Sequence, residues 1–110
     1  VEGVTPGMDL FSQEIFGPIV SVTPFDHEEE AIELANSSQV GLASYFCTEN
    51  LRRAWRVAER IQTGMVGVNE GIISAENVPF GGIKQSGLGR EGGQEGLEEY
   101  LDTKYICMGI

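Results

Sequence analysis

The residues from Val40 to Asn69, VGLASYFCTENLRRAWRVAERIQTGMVGVN, decide the fold. Val40–Cys47 is a short apolar and aromatic run, which predicts a strand buried on both faces. Thr48 or Asn50 can cap a following helix. In that helix Leu51, Ala54, Trp55, Ala58 and Ile61 recur at helical spacing, and Arg52, Arg53, Arg56 and Arg60 take the wet side. Gly64 is expected to stop the helix in a left-handed conformation, and Met65–Asn69 reads as the next strand. Upstream, Ile19–Phe25 is β-branched and bounded by Pro18 and Pro24, a first strand. Asp26 with Glu29 three positions on matches a capping box for a helix from about His27 to Asn36, with Ala31, Ile32, Leu34 and Ala35 inward. Strand, helix, strand, helix, strand with short links predicts parallel pairing and an α/β fold.

Composition limits what such a fold can do. The chain has 110 residues and a formal net charge of −10, with 41% hydrophobic residues. A core can form, and an acidic chain without a basic stripe is a poor partner for phosphate backbones. No run approaches the roughly 20 apolar residues of a membrane-spanning helix. Val1–Asn50 carries nine acids and no Lys or Arg. Those acids are solvated or face cations supplied from elsewhere, and solvation is the expectation. Cys47 and Cys107 lie far apart in apolar surroundings and are expected to be buried and inert in a reducing compartment. With His27 as the third candidate ligand, the four-ligand set of a structural zinc site is not available.

Ten of the 15 glycines fall between Gly64 and Gly96, where periodicity is lost. Loops of this kind are functional or packed backbone to backbone. Gly87-Leu88-Gly89-Arg90-Glu91-Gly92 satisfies a dinucleotide fingerprint literally. That motif works at a strand-to-helix turn, and Gly81–Ser86 before it does not read as a strand. Lys84 also lacks the neighbours of a phosphate-binding loop lysine. A short helix is expected over Gln94–Glu98, and Tyr100–Met108 reads as a terminal strand.

Three pieces taken together say more: Glu14-Ile15-Phe16-Gly17-Pro18, Asn69-Glu70-Gly71-Ile72-Ile73-Ser74, and Pro79–Glu91. They resemble signatures of the aldehyde dehydrogenase superfamily, E-x-F-G-P and P-F-G-G-x-K-x-S-G-x-G-R-E, and the middle piece resembles its succinate-semialdehyde branch. The resemblance spans about Gln13 to Met108 and implies the C-terminal part of the catalytic domain over residues 1–98, followed by an oligomerisation strand over 99–110. It implies that Glu14 accepts hydrogen bonds from the ribose hydroxyls of NAD or NADP and that Phe16 borders the nicotinamide. A carboxylate suits a vicinal diol because its two oxygens accept both protons. It further implies that Ser74 binds the far carboxylate of the aldehyde substrate and that Phe80 lines the substrate tunnel. Arg90 is expected to tie down the glycine-rich loop through its fork of donors.

The reaction so implied needs a nucleophilic cysteine, a glutamate base and an asparagine oxyanion donor. Neither Cys47 nor Cys107 stands in the Gly-Gln-x-Cys setting of the family nucleophile. Val1–Met8 has neither a basic n-region nor an apolar h-region and starts without Met, so the chain is expected to be entered partway along, with any targeting signal upstream out of view. The expectation is therefore a piece of an NAD(P)-dependent enzyme that is inactive alone, with the rest of that enzyme as partner. A stand-alone structural or binding domain derived from the family is the alternative. Residues 100–108 are expected at a homo-oligomer interface. The compartment is expected to be cytoplasmic or, alternatively, the mitochondrial matrix.

Overall fold

The computed structural model describes residues 1–109; Ile110, the end of the expected terminal segment, lies outside the described residues. In chain order the elements are α1 (Asp9–Ser12), α2 (Glu28–Asn36), β1 (Val40–Gly41), β2 (Ala43–Phe46), α3 (Leu51–Arg60), β3 (Met65–Val68), β4 (Ile83–Lys84) and α4 (Glu95–Glu98). β2 and β3 pair in parallel across α3, in the register Ala43↔Met65 to Phe46↔Val68. That is the strand–helix–strand unit read from residues 40–69, and it places the chain in the α/β class.

The expected strand over Val40–Cys47 divides at Leu42. Its first half, β1, pairs antiparallel with β4 in the register Val40↔Lys84 and Gly41↔Ile83. The glycine-rich segment thus supplies a short strand that its sequence hides. Burial on both faces is not found: Val40 and Tyr45 are each 54% exposed, and Cys47 and Cys107 are exposed. α3 packs on β3 and covers one side of the pair, which leaves the other open.

α3 begins as expected at Asn50, whose Oδ1 accepts the Arg53 N–H at 3.0 Å. Its inward face differs from the expected stripe. Val57 is its buried residue, Ala54, Ala58 and Ile61 are half-buried, and Leu51 and Trp55 stay exposed because no element covers that flank. Gly64 is not left-handed. Its neighbour explains it: a Cβ there would lie 1.9 Å from the Gly81 carbonyl oxygen, so β3 and the glycine-rich loop touch backbone to backbone.

α2 starts one residue later than expected, with His27 as its N-cap and Glu30 accepting the Asp26 N–H at 2.9 Å. The acids at its start are not simply solvated. Glu28 accepts Arg56 Nε at 2.7 Å and Nη2 at 2.9 Å, and also Arg53 Nε at 2.8 Å. Glu29 pairs with both terminal nitrogens of Arg60. The basic side of α3 therefore supplies the cations that the first half of the chain lacks. Hydrogen bonding from Arg56 is the main reason the Glu28 carboxyl is held down to about 2, with Arg53 adding to it.

The expected strand over Ile19–Phe25 is reduced to a single parallel bridge, Glu2↔Val22. Val1 N donates to Val20 O at 2.7 Å, Val22 N to Val1 O at 2.8 Å and Val4 N to Val22 O at 3.2 Å. Thr23 Oγ1 then donates to the Val4 carbonyl at 2.8 Å, a side chain replacing the next ladder bond. Pro18 and Pro24 have no N–H with which to extend the pairing. Tyr100–Met108 forms no strand among the described residues, because no segment offers its backbone a ladder, and its side chains are exposed.

The shape follows from this. The Cα radius of gyration is 18.3 Å, against about 13 Å for a compact chain of this length. Val4, Ile32 and Val57 are the buried apolar side chains of the described residues. No described helix is long and apolar enough to cross a membrane.

Candidate functional site

Where β3 ends, the chain must leave the sheet, and two polar side chains shape its exit. Asn69 N still donates to Phe46 O at 3.0 Å, yet its φ is +56°, an uncommon conformation outside glycine. Its side chain accepts the Thr48 N–H at 2.8 Å and donates to the Thr48 carbonyl at 2.8 Å. Glu70 Oε1 then accepts the N–H groups of Gly71 and Ile72, at 2.8 and 3.2 Å. The loop folds back over β3, and a Cβ on Gly67 would lie 3.0 Å from Ile73 Cγ2. Ser74 follows, exposed.

The glycine-rich segment meets this loop from the other side. Phe80 and Glu91 exchange two backbone hydrogen bonds of 2.7 Å, and Gly93 N donates to Glu76 O at 3.0 Å. Together Ser74, Glu76, Phe80, Glu91 and Gly92 line an open concavity of about 480 Å³. Its side-chain charges are both acidic, from Glu76 and Glu91. Ser74 and Phe80, expected to share one substrate pocket, are brought together here.

Glu14 and Phe16 lie on the extended arm before α2. Gly17 N donates to Ile15 O at 2.9 Å and Ile19 N to Gly17 O at 2.8 Å, two successive three-residue turns that put Phe16 and Pro18 at their apices. Phe16 is 98% exposed and Glu14 is exposed. The turns leave both side chains on one short, solvent-exposed arm.

The motif glycines and bases have structural roles here. Gly87, Gly89 and Gly92 all have positive φ, which accounts for the literal dinucleotide fingerprint without a pyrophosphate. Arg90 Nη1 donates to the carbonyls of Gly82 at 2.8 Å and Gly89 at 2.6 Å, fastening the loop as expected. Lys84 Nζ donates to the carbonyls of Asn36 and Ser38, at 2.8 and 2.9 Å, and so caps the C-terminal end of α2. Asn69, Glu70 and Lys84 were not candidates from sequence. An Asn directly after a strand and an acid directly before Gly were the available signals. Among the described residues no group of three or more His, Cys, Asp or Glu is arranged to hold a metal ion.

The parallel strand–helix–strand unit, the fastened glycine loop and the concavity at its edge make an α/β segment, and the sequence model of the aldehyde dehydrogenase family matches residues 1–106. The chain belongs to that family. It is 56% identical over 109 residues to mitochondrial succinate-semialdehyde dehydrogenase of Oryza sativa subsp. japonica, covering 99% of this chain and 21% of that protein. Among solved structures it resembles succinate-semialdehyde dehydrogenase from Burkholderia pseudomallei, with 49% identity and a TM-score of 0.92, covering 98% of this chain and 22% of that one. It also resembles an NAD+ complex of aldehyde dehydrogenase from Bacillus cereus, with 44% identity and a TM-score of 0.87, covering 90% of this chain and 20% of that one. The chain thus spans about a fifth of the length of the relatives it matches.

Proposed function

We propose that the chain serves an NAD(P)+-dependent oxidation of an aldehyde to its carboxylic acid, with succinate semialdehyde as the substrate. The observation that carries this reading is the meeting of Ser74 and Phe80 across one concavity, in a chain 56% identical to a succinate-semialdehyde dehydrogenase. Phe80 offers an apolar wall for the substrate's methylenes, and the Ser74 hydroxyl donates to its far carboxylate. Glu76 and Glu91 oppose that carboxylate, so its counter-charge comes from outside these residues.

Glu14 would hold the ribose hydroxyls of NAD or NADP and Phe16 the face of the nicotinamide, consistent with the NAD+-bound relative. The cofactor's part is to accept the hydride. The nucleophilic cysteine is assigned to the remainder of the enzyme, since neither Cys47 nor Cys107 lines the concavity. Residues 99–110 would supply a strand to a second copy of the enzyme, where an exposed apolar segment gains its missing ladder. The mitochondrial relatives favour the matrix over the cytoplasm.

The test is Ser74→Ala in the full-length enzyme that carries this chain. Losing a hydrogen bond to a charged group costs about 1.5–3 kcal/mol, so kcat/KM for succinate semialdehyde should fall about 10- to 150-fold. A neutral four-carbon aldehyde should be affected far less. Equal losses on both substrates would remove Ser74 from carboxylate recognition.

A further inference from the structure

We propose that Asn69 is a positioning residue that sets the aim of Ser74. This inference rests on the reading of Ser74 as the group that meets the substrate carboxylate. The last ladder pair of β2 and β3 is Phe46↔Val68. One step beyond it, the Asn69 side chain both accepts from and donates to the backbone of Thr48, at 2.8 Å in each direction. A strand residue would satisfy its neighbour with its own N–H and C=O. Asn69 N still donates to Phe46 O at 3.0 Å, but toward Thr48 the carboxamide takes that part, and beyond Asn69, at φ +56°, the main chain leaves the sheet.

Few side chains can do this. The job needs one donor and one acceptor on a stem short enough to reach the adjacent strand, on a residue that tolerates the left-handed region. Asn meets all three conditions; Asp lacks the donor, Gln carries an extra methylene, and Gly has no side chain. Downstream, Glu70 takes the Gly71 and Ile72 N–H groups, and Ile73 folds over Gly67. The far end of the loop is held by Gly93 N on the Glu76 carbonyl at 3.0 Å. Ser74 hangs between the two anchors, so its direction depends on the angle at which Asn69 launches the loop.

The experiment compares kcat and KM of the full-length enzyme on succinate semialdehyde and on a neutral four-carbon aldehyde. Asn69→Gly keeps the left-handed backbone accessible and removes both amide bonds. The ratio of kcat/KM, acid to neutral, should fall about 10-fold, chiefly through a raised KM for the acid substrate. Asn69→Asp, which keeps the bond from Thr48 N–H, should fall less. In a Ser74→Ala background, Asn69→Gly should lower the ratio no further, since both changes remove one contact. Should Asn69→Gly fail to fold, Glu70→Ala frees the Gly71 and Ile72 amides and is read by the same ratio, with a fall expected.

Equal losses on both substrates, or additive losses in the double variant, would make Asn69 a strand terminator and nothing more. If instead Ser74→Ala alone leaves the ratio unchanged, the carboxylate reading fails and this inference falls with it. The two failures are therefore told apart by the single variants.

Discussion

Residues 28–69 and the arm of residues 1–25 have similar shares of apolar side chains but very different order. The first region closes a parallel strand pair across a capped helix and ties α2 to α3 through Glu28 and Glu29. The second is held by one bridge and a few bonds between Val1–Val4 and Val20–Thr23. In the first, each element finds its partner within a short stretch of chain. The arm offers Ile19, Val20 and Phe25 to solvent at 48, 74 and 58% exposure. β-propensity without a neighbouring strand gives an extended segment and not a strand.

That contrast breaks first at the backbone contacts. Gly64→Ala would drive a methyl into the Gly81 carbonyl, whereas Gly71→Ala meets nothing within 4 Å. The first should destabilise the chain by about 3 kcal/mol or more and the second by less than about 0.5 kcal/mol, measured by urea unfolding followed through helical circular dichroism. Equal effects would mean that the glycine loop does not brace β3.

A smaller effect is expected from one matched pair of valines. Val57 is 7% exposed in the ordered region and Val20 is 74% exposed on the arm. Val57→Ala should cost about 2 kcal/mol, the sum of lost burial and a residual cavity, and Val20→Ala less than about 0.5 kcal/mol. A comparable loss at Val20 in the same unfolding experiment would show that the arm is packed as firmly as the helix.

The smallest effect comes from the ion pairs, which are exposed to water and salt. Glu28 is held down to about 2 from its ordinary 4.5, so in that window the unfolded chain binds more protons than the folded one. Their contribution is fully present above about pH 4.5 and is lost as pH falls through about 2. Glu29, lowered chiefly by its bond from Arg60, acts in the same sense. Acid unfolding of Glu28→Gln should show a flatter slope in that range. An unchanged slope would mean that the Glu28 pairs with Arg53 and Arg56 contribute nothing to holding α2 against α3.

What could be read in advance follows the range of the forces. Both long helices, the parallel pair, α4 and the clamp by Arg90 come from local spacing, caps and glycine placement, and the sequence carries them plainly. The failures are long-range. Ile83–Lys84 becomes a strand only against Val40–Gly41, and Tyr100–Met108 has β-forming residues but no ladder. Apolar neighbours in sequence suggested that Cys47 was buried, yet a two-stranded pair covered on one side leaves it exposed. Ser74 and Phe80, which line one concavity, were singled out through motif resemblance. The double bond of Asn69 to Thr48 was not, because it depends on where β2 ends relative to β3.

Lys84 has a consequence for the order in which the molecule assembles. It reaches the end of α2 across 48 residues, whereas the β2–β3 pairing closes between Ala43 and Met65. Loop-closure entropy makes the longer connection dearer by about 0.7 kcal/mol, and its anchor, the last turn of α2, must already exist. Local closure therefore precedes the strap. Phe80 lies on the strapped segment and Ser74 on the loop launched from β3, so the concavity they share is among the last features to take shape. A chain arrested midway would have its helices and its parallel pair, and no concavity between Ser74 and Phe80.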